Sequence, residues 1–458
     1  MRTKINYQET FSYNPSNSVK IVRDHVDKYK RIDLVLQENP AILDLVHVDF
    51  DKGLSDSTTG RNGDYTTDQL FRAILVVFLE RWSFRQVVVN VDSNMVLQKF
   101  VRLGMMPMMD FTFLNKAYGA IQESTWKKIN EALNRHAVRE EKIGGEKLRV
   151  DSTVYEANIH YPTDSSLLWD SFRTLARLLK RRKEEMKAVG LTHRFHTRKV
   201  KRLAYFISRN GKSRSKKTQR KVKSTYRTLI DRVRWIARVA GETVRRLEGT
   251  INDILGEIGE LKHYLPIVER IVHQAEMRVF EGVILPAGEK VYSLFEDHTE
   301  LLKRGKAGKA IEFGHKILVA QNGDKYITHY EVLPRRQEDK ELLKGTLQAH
   351  KSLFGRLPGV LAADRGFYED RKRLKKLSNE IETVSIAVKG NRTPEEKEWE
   401  SREAFKEGQR FRAGSEGSIS VLKRAYKLGK CLFKGFKNFA VSVGCAVFCH
   451  NLVLLTRL

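Results

Sequence analysis

The segment VLAADRGFY at residues 360–368 decides the fold, because an apolar run ends there in a carboxylate and a glycine turn. A short apolar run bounded by turn-forming residues is typical of a buried strand. Asp364 then falls at the carboxyl end of that strand, which is the edge of an open α/β sheet where ligands bind. The segment therefore predicts a strand of a layered sheet with a candidate functional carboxylate at its end.

The sequence around this segment alternates between strand and helix patterns. Upstream, LRVDSTVYEA at 148–157 has the period-2 alternation of a strand and places Asp151 at or near the end of that strand. The turn sequence QNGD at 321–324 joins two more strands into a hairpin. The other predicted elements are strands at 311–320, 325–333 and 383–388 and helices at about 338–351 and 368–379. This order predicts an α/β core whose later strands are parallel.

The N-terminal region reads as a set of short helices over residues 18–120. Capping-box patterns at 66–69 and 83–86 precede apolar residues with helical spacing, and a short turn at Arg81 joins the two helices. A DNA-reading helix-turn-helix and a plain helical packing module both fit this pattern. We assign residues 1–140 to an all-helical N-terminal domain and expect it to bind DNA.

Positive charge is concentrated in one part of the chain. The 458 residues carry a formal net charge of +28, and residues 173–246 hold 26 Lys and Arg against 4 Asp and Glu. Apolar residues recur there with helical spacing, which predicts a basic helical insertion, placed at 160–282. A solvated face normally mixes charges of both signs, so this bias indicates a polyanion partner, most simply a phosphate backbone.

The three cysteines and the apolar C-terminal run bear on the compartment. Cys431, Cys445 and Cys449 lack the spacing of a zinc site, so we expect reduced, buried thiols. The run 439–455 is short for a membrane span and predicts a buried terminal helix. The N-terminus lacks the apolar core of a signal peptide. We expect a cytoplasmic, nucleoid-associated protein that does not bind membranes.

Three acidic residues stand out in this basic chain. Asp151 and Asp364 fall on predicted core strands, and Glu416 falls on a helix predicted to begin near 414–415. Each residue alone fits a helix cap or a surface charge. Together, close to a region that attracts phosphates, they predict a site for hard divalent cations, which carboxylate oxygens bind well.

These acidic residues resemble the DDE triad of bacterial insertion-sequence transposases of the ISNCY-like kind. Arg412, Glu416 and Lys423 have the spacing of the signature Y-x2-R-x3-E-x6-K, with Gln409 in place of its tyrosine. Further similarity covers the segments 293–320 and 361–370 and the helical stretch 65–118. The similar region spans most of residues 60–455.

The resemblance implies a fold and an activity. The fold would be α/β, with a ribonuclease-H-like mixed-sheet catalytic domain at 141–458, interrupted by the basic insertion and preceded by the helical domain. Two divalent ions, Mg²⁺ or Mn²⁺, would be held by Asp151 between them and by Asp364 and Glu416 on one ion each. The residues expected to contact DNA are Arg412, Lys423 and Arg365.

The implied activity is that of a transposase. Such an enzyme binds the terminal inverted repeats of its element, cleaves double-stranded DNA and transfers the strands to a target, and we expect a homodimer in the DNA complex. Two alternatives stay open from the sequence. One is a metal-dependent nuclease of the same fold, and the other is a catalytically dead DNA-binding repressor.

Overall fold

The computed structural model describes residues 18–54, 65–249, 258–303 and 310–458. Parts of the predicted helical region, of the basic insertion and of the segment 293–320 lie outside the described residues. The fold is α/β, 64% helical, with a mixed seven-stranded sheet, which confirms the α/β part of the prediction. The chain divides into two compact units, residues 1–156 with 315–458 and residues 157–314.

The first unit begins with short helices. Thr66 and Ser83 each form the expected capping box, with Gln69 and Gln86, and Asp110 caps a further helix. These caps confirm the helix starts that the sequence predicts. The helices are α1 (Lys20–Gln37), α2 (Pro40–Leu54), α3 (Thr67–Leu79), α4 (Phe84–Ser93), α5 (Met95–Val101), α6 (Phe111–Ala120) and α7 (Glu123–Arg139).

The apolar C-terminal run forms a buried helix, Gly435–Leu455, as predicted. Among the described residues it is the one helix long and apolar enough to cross a membrane, but 89% of its apolar window is buried inside the protein. It packs against α3 and α7, and every residue of α3 is buried. Cys431, Cys445 and Cys449 are free and buried, as expected. The N-terminal helices and this terminal helix therefore share one core, within the same unit as most of the sheet.

Most of the sheet belongs to the first unit. Its strands are β1 (Lys147–Ala157), β3 (Ile311–Gln321), β4 (Ile327–Val332), β5 (Val360–Ala363), β6 (Thr383–Ser385) and β7 (Lys430–Cys431), with β2 (Glu300–Lys303) preceding β3. β3 and β4 pair antiparallel as the predicted hairpin. β5 pairs parallel with both β1 and β6, which confirms the prediction of parallel later strands. The order across the central strands is β3, β1, β5, β6.

Helices cover both faces of this sheet. On one face, Leu148 and Val150 share a core with residues of α13 (Asp339–Phe354) and α14 (Arg371–Glu380). The opposite face of β5 and β6 contacts α16 (Glu403–Ala425), which follows α15 (Pro394–Ser401). Because side chains alternate along a strand, Arg149 and Asp151 point to the face opposite Leu148 and Val150.

Two sequence expectations about this region are wrong in detail. The helix that carries Glu416 begins at Glu403, not near 414–415, so Glu416 lies well inside it. Two of its glycines are interior residues at close contacts: a Cβ on Gly408 would collide with Ser385, and one on Gly414 would collide with the Arg149 guanidinium. Asp151 lies within β1 and not at its end, because β1 continues to Ala157 after its pairing with β5 stops.

The second unit is mostly helical and contains the basic segment. Its own apolar core is built mainly from residues of five helices, and most of its Lys and Arg side chains lie on the surface. The described helices are α8 (Asp164–Arg181), α9 (Lys183–Ala188), α10 (Thr197–Asn210), α11 (Lys216–Leu247) and α12 (Gly259–Glu276), the last continuing as a π-helical turn, Met277–Glu281. The helical character predicted for the basic insertion is therefore confirmed over these ranges.

The packing of α16 on the sheet gives a stability prediction. Gly408→Ala should lower the free energy of unfolding by about 1–3 kcal/mol, because the new Cβ overpacks the contact with Ser385. Gly417→Ala is the matched control in the same helix, since nothing lies within 4 Å of its Cβ position. The control should be neutral or stabilising by up to about 1 kcal/mol through helix propensity. Urea denaturation of both variants measures the difference, and equal stabilities would contradict this packing.

Candidate active site at the carboxyl edge of β5

Two of the predicted site residues are neighbours on adjacent parallel strands. Val150 and Ala363 are the last residues paired between β1 and β5. The next residue along β1 is Asp151, and the residue directly after β5 is Asp364. Adjacent strands lie about 4.8 Å apart, so the register sets these two carboxylates side by side. Both side chains are partly exposed to solvent. The sequence predicted both residues, and the register explains why they meet.

The environment of Asp151 disfavours its charge. Burial raises the pKa of the Asp151 carboxyl, and the nearby negative charge of Asp364 raises it further. Hydrogen bonds oppose this effect: the Ser415 hydroxyl donates to Oδ2 at 2.6 Å, and the Ser152 amide donates to Oδ1 at 2.8 Å. The Arg412 guanidinium also lowers the pKa by its charge. The hydrogen bonds and the Arg412 charge therefore offset part of the cost of keeping Asp151 charged beside Asp364.

Asp364 is oriented by the turn that follows it. Its Oδ1 accepts a hydrogen bond from the Gly366 amide at 2.7 Å, which caps the 3₁₀ turn Arg365–Phe367. A Cβ on Gly366 would lie 2.7 Å from that oxygen and 2.9 Å from Oδ2 of Asp339. Glycine at this position thus lets two carboxylates approach the same turn. Lys316 donates to the other oxygen of Asp339 at 3.2 Å and so partly neutralises it.

Glu416 lies one residue beyond the Ser415 that binds Asp151. Its side chain is exposed on α16. Within the described ranges, no three His, Cys, Asp or Glu side chains come close enough to hold a metal ion together. The structure thus brings Asp151 and Asp364 together and places the backbone of Glu416 beside them, with its carboxylate turned to solvent.

The predicted cationic residues are spread along two elements. Arg412 lies one helical turn before Glu416, and its Nε is buried without a hydrogen-bond partner. Lys423 lies seven residues beyond Glu416, about 10 Å along the helix axis. Arg365 directly follows Asp364 and is exposed. Of the three, Arg412 is the one whose charge acts on Asp151.

Gln409, which stands where the transposase signature has a tyrosine, has a packing role. Its Nε2 donates to the backbone oxygen of Ser385 at 2.7 Å and to the hydroxyl of the same residue at 3.0 Å. The amide therefore ties α16 to the end of β6. It does so one residue after Gly408, which lies against the same Ser385.

Sequence reasoning missed Arg149, which lies two residues before Asp151 on the same face of β1. Arg149 is 3% exposed, and burial lowers its pKa, opposed by the charge of Asp151. Its guanidinium donates to Gln321 on β3 at 2.9 Å and to Phe411 and Ser418 on α16 at 3.2 and 3.0 Å. The available signal was an arginine two residues before Asp151 in a strand pattern, because that spacing places both on one face.

A second candidate surface lies within the other unit, on the hairpin of α10 and α11. Residues 186–230 contain 15 Lys and Arg and no Asp or Glu. Most of these cations are exposed, for example Lys212, Lys216, Lys217 and Arg220. Toward the end of α11 the cations pair with acids instead: Arg234 with Glu276, and Arg245 and Arg246 with Glu242. Positive charge that is not paired with acids is therefore concentrated in residues 198–227. We call these residues, which comprise nearly all of α10, the connecting loop and the first part of α11, the tip of the hairpin.

No known protein family, curated protein or solved structure matches this chain. The candidate site therefore stands on its geometry and on the sequence signature alone.

The surroundings of Asp151 predict that two substitutions shift its pKa in opposite directions. Asp364→Asn should lower the pKa of Asp151, because the neighbouring negative charge is removed. Ser415→Ala should raise it, because a hydrogen bond to the charged form is lost. Carboxyl ¹³C NMR of Asp-labelled protein measures both shifts. The exposed Glu369→Gln is the control and should leave the Asp151 titration in place, whereas shifts of the same sign in the first two variants would contradict the site.

Proposed function

We propose that this chain is a transposase-type enzyme that cleaves and joins DNA with divalent metal ions. The observation that carries the proposal is the register that sets Asp151 beside Asp364 at the point where the parallel pairing of β1 with β5 ends. Two carboxylates held this close repel each other, and a cation between them would relieve the repulsion. Burial raises the pKa of Asp151, and the negative charge of Asp364 raises it further, so a bound cation would favour the charged form of this carboxyl.

The donor set fits hard divalent ions such as Mg²⁺ or Mn²⁺. Asp151 and Asp364 would hold them, and Glu416 would join by rotating its exposed side chain toward Asp151 from the adjacent turn of α16. Bound ions would supply activation of an attacking oxygen and stabilisation of the leaving one. Ser415 and Ser152 would orient Asp151, and the Arg412 guanidinium would draw a phosphate to the same edge.

The ribonuclease-H-like fold is part of this proposal. It is supported by a central β1 with a hairpin strand on one side and two parallel strands on the other. The helix that carries Glu416, α16, follows β6 and α15 in the chain and packs onto β5 and β6. This arrangement fits a catalytic sheet whose carboxylates come from two adjacent strands and a later helix.

We assign sequence recognition to the N-terminal helices and backbone contact to the basic hairpin. α4 exposes Arg85 and Gln86 and leaves Asn90 partly exposed, and these residue types read base edges in the major groove. The α10–α11 tip instead offers dense positive charge, which suits phosphates and carries no sequence information. A homodimer that pairs two DNA ends, acting in the cytoplasm on nucleoid DNA, belongs to the same proposal.

The catalytic assignment is tested with Asp364→Asn and Glu416→Gln. Cleavage of DNA that carries the ends of the element, in Mg²⁺, should fall by about a hundredfold or more in each variant, because the metal-binding oxygens are removed. Binding to the same DNA in Ca²⁺ should remain. Glu369→Gln, an exposed carboxylate near the same turn, is the matched control and should cleave normally.

Three results would count against this assignment. Normal cleavage by Asp364→Asn or Glu416→Gln would remove these residues from catalysis. Cleavage without joining of the 3′ ends to a target would favour the nuclease. Wild-type protein that binds the ends but never cleaves them would favour the repressor.

The backbone-contact assignment is tested with two variants of equal charge. Alanine replaces Lys212, Lys216, Lys217 and Arg220 at the hairpin tip in one variant, and Arg181, Arg234, Arg245 and Arg246 in the other. The tip variant should flatten the dependence of log K on log salt by roughly 0.9 for each phosphate group that it no longer binds. The second set should have a smaller effect, because those cations already pair with acids in the protein.

Filter binding to random duplex DNA over a range of salt concentrations measures both slopes. Circular dichroism checks that both variants keep the helices of the second unit. Equal slopes for the wild type and the tip variant would show that the tip does not bind phosphates.

A further inference from the structure

The buried Arg149 is an unusual group to find under a pair of carboxylates. A buried arginine normally pairs with an acid, because an unpaired buried charge is costly. Arg149 instead donates three hydrogen bonds to neutral groups: Gln321, the backbone oxygen of Phe411 and the hydroxyl of Ser418. The nearby charge of Asp151 is the acidic influence that favours its charged form.

The guanidinium spans the segment of α16 that faces the site. Phe411 and Ser418 lie two turns apart on α16, and the arginine binds both, with its planar group 5.1 Å from the Phe411 ring centroid. Arg412, Ser415 and Glu416 lie between these two anchor points. The guanidinium is planar, and its N–H groups point in fixed directions. It therefore holds this segment of the helix at one rotation about the helix axis and at one position along that axis.

The helix is shaped to receive the guanidinium at Gly414. A Cβ at that position would lie 3.5 Å from Cζ of Arg149 and would collide with its Nη1. Glycine inside a helix costs about 1 kcal/mol relative to alanine. Gly414 therefore has a structural reason to be glycine, and that reason is the space occupied by Arg149.

We propose that Arg149 is a positioning residue of the carboxylate site, because it fixes the position of α16. In this position Ser415 binds Asp151, while Arg412 and Glu416 reach the same edge of the sheet. For its catalytic consequence this inference rests on the proposed function. The positioning itself concerns contacts within the first unit and does not depend on DNA or metal. A lysine in its place keeps the charge but has neither the fork nor the reach to bind both anchor points.

The test uses the full-length protein with Arg149→Lys, Gly414→Ala and the double variant. The first readout is the pKa of Asp151, followed by carboxyl ¹³C NMR. Both single variants should raise it, because a displaced helix withdraws the Ser415 hydrogen bond and the Arg412 charge. The double variant should show no further rise, since alanine at 414 no longer meets a guanidinium. Gly417→Ala, with nothing within 4 Å of its Cβ position, should leave the pKa of Asp151 in place.

The second readout is the affinity for Mn²⁺ alone, measured by titration calorimetry. Residues that orient metal ligands typically contribute 10-fold to 100-fold to affinity, so each single variant should bind Mn²⁺ about tenfold more weakly or worse. Gly417→Ala should bind Mn²⁺ like the wild type.

The outcomes separate the two proposals. An unchanged Asp151 pKa in Gly414→Ala, or shifts that add fully in the double variant, would overturn the positioning role of Arg149. A wild type that binds no Mn²⁺ would overturn the proposed metal-dependent function and leave the pKa readout to decide the positioning role. Circular dichroism and urea denaturation confirm that each variant is folded before either readout is taken.

Discussion

The parallel pairing of β1 with β5 is the constraint on which the rest of the candidate site depends. One register sets Val150 opposite Ala363, and the next residue on each strand is an aspartate. A slip of one residue would turn one of these carboxylates to the opposite face of the sheet, since side chains alternate along a strand. The apolar residues Leu148 and Val150 on the other face hold the register, because they are buried in a core. The hydrophobic pattern of the strands therefore determines where the acidic groups meet.

The two candidate surfaces lie in different units. In the first unit, two carboxylates lie together at one sheet edge, and hydrogen bonds to Asp151 and the charge of Arg412 partly offset the cost of ionising Asp151. In the second unit, a run of 45 residues without an acid, 186–230, includes α10 and the first part of α11. In the proposed function the basic hairpin would attract the polyanion, and the sheet edge would carry out the chemistry. Each surface can therefore be tested by substitution without disturbing the other.

Local patterns predicted much of the fold and part of the site. Capping boxes at Thr66 and Ser83 and the hairpin turn before β4 depend on neighbouring residues, and they were predicted correctly. The start of α16 was not, because glycine reads as a helix breaker unless its tertiary contacts are known. Arg149 and Asp339 were missed for the same reason: their roles come from contacts with residues far away in the chain. The DNA-binding, metal and transposition assignments stay predictions.

The most direct measurement of the central claim is anomalous diffraction from crystals of the full chain soaked in Mn²⁺. The account predicts a manganese peak between Asp151 and Asp364, with carboxylate oxygens at about 2.1 Å and Glu416 turned inward to join them. A peak that lies elsewhere in the first unit, or a saturating soak that leaves this edge without manganese, would contradict it.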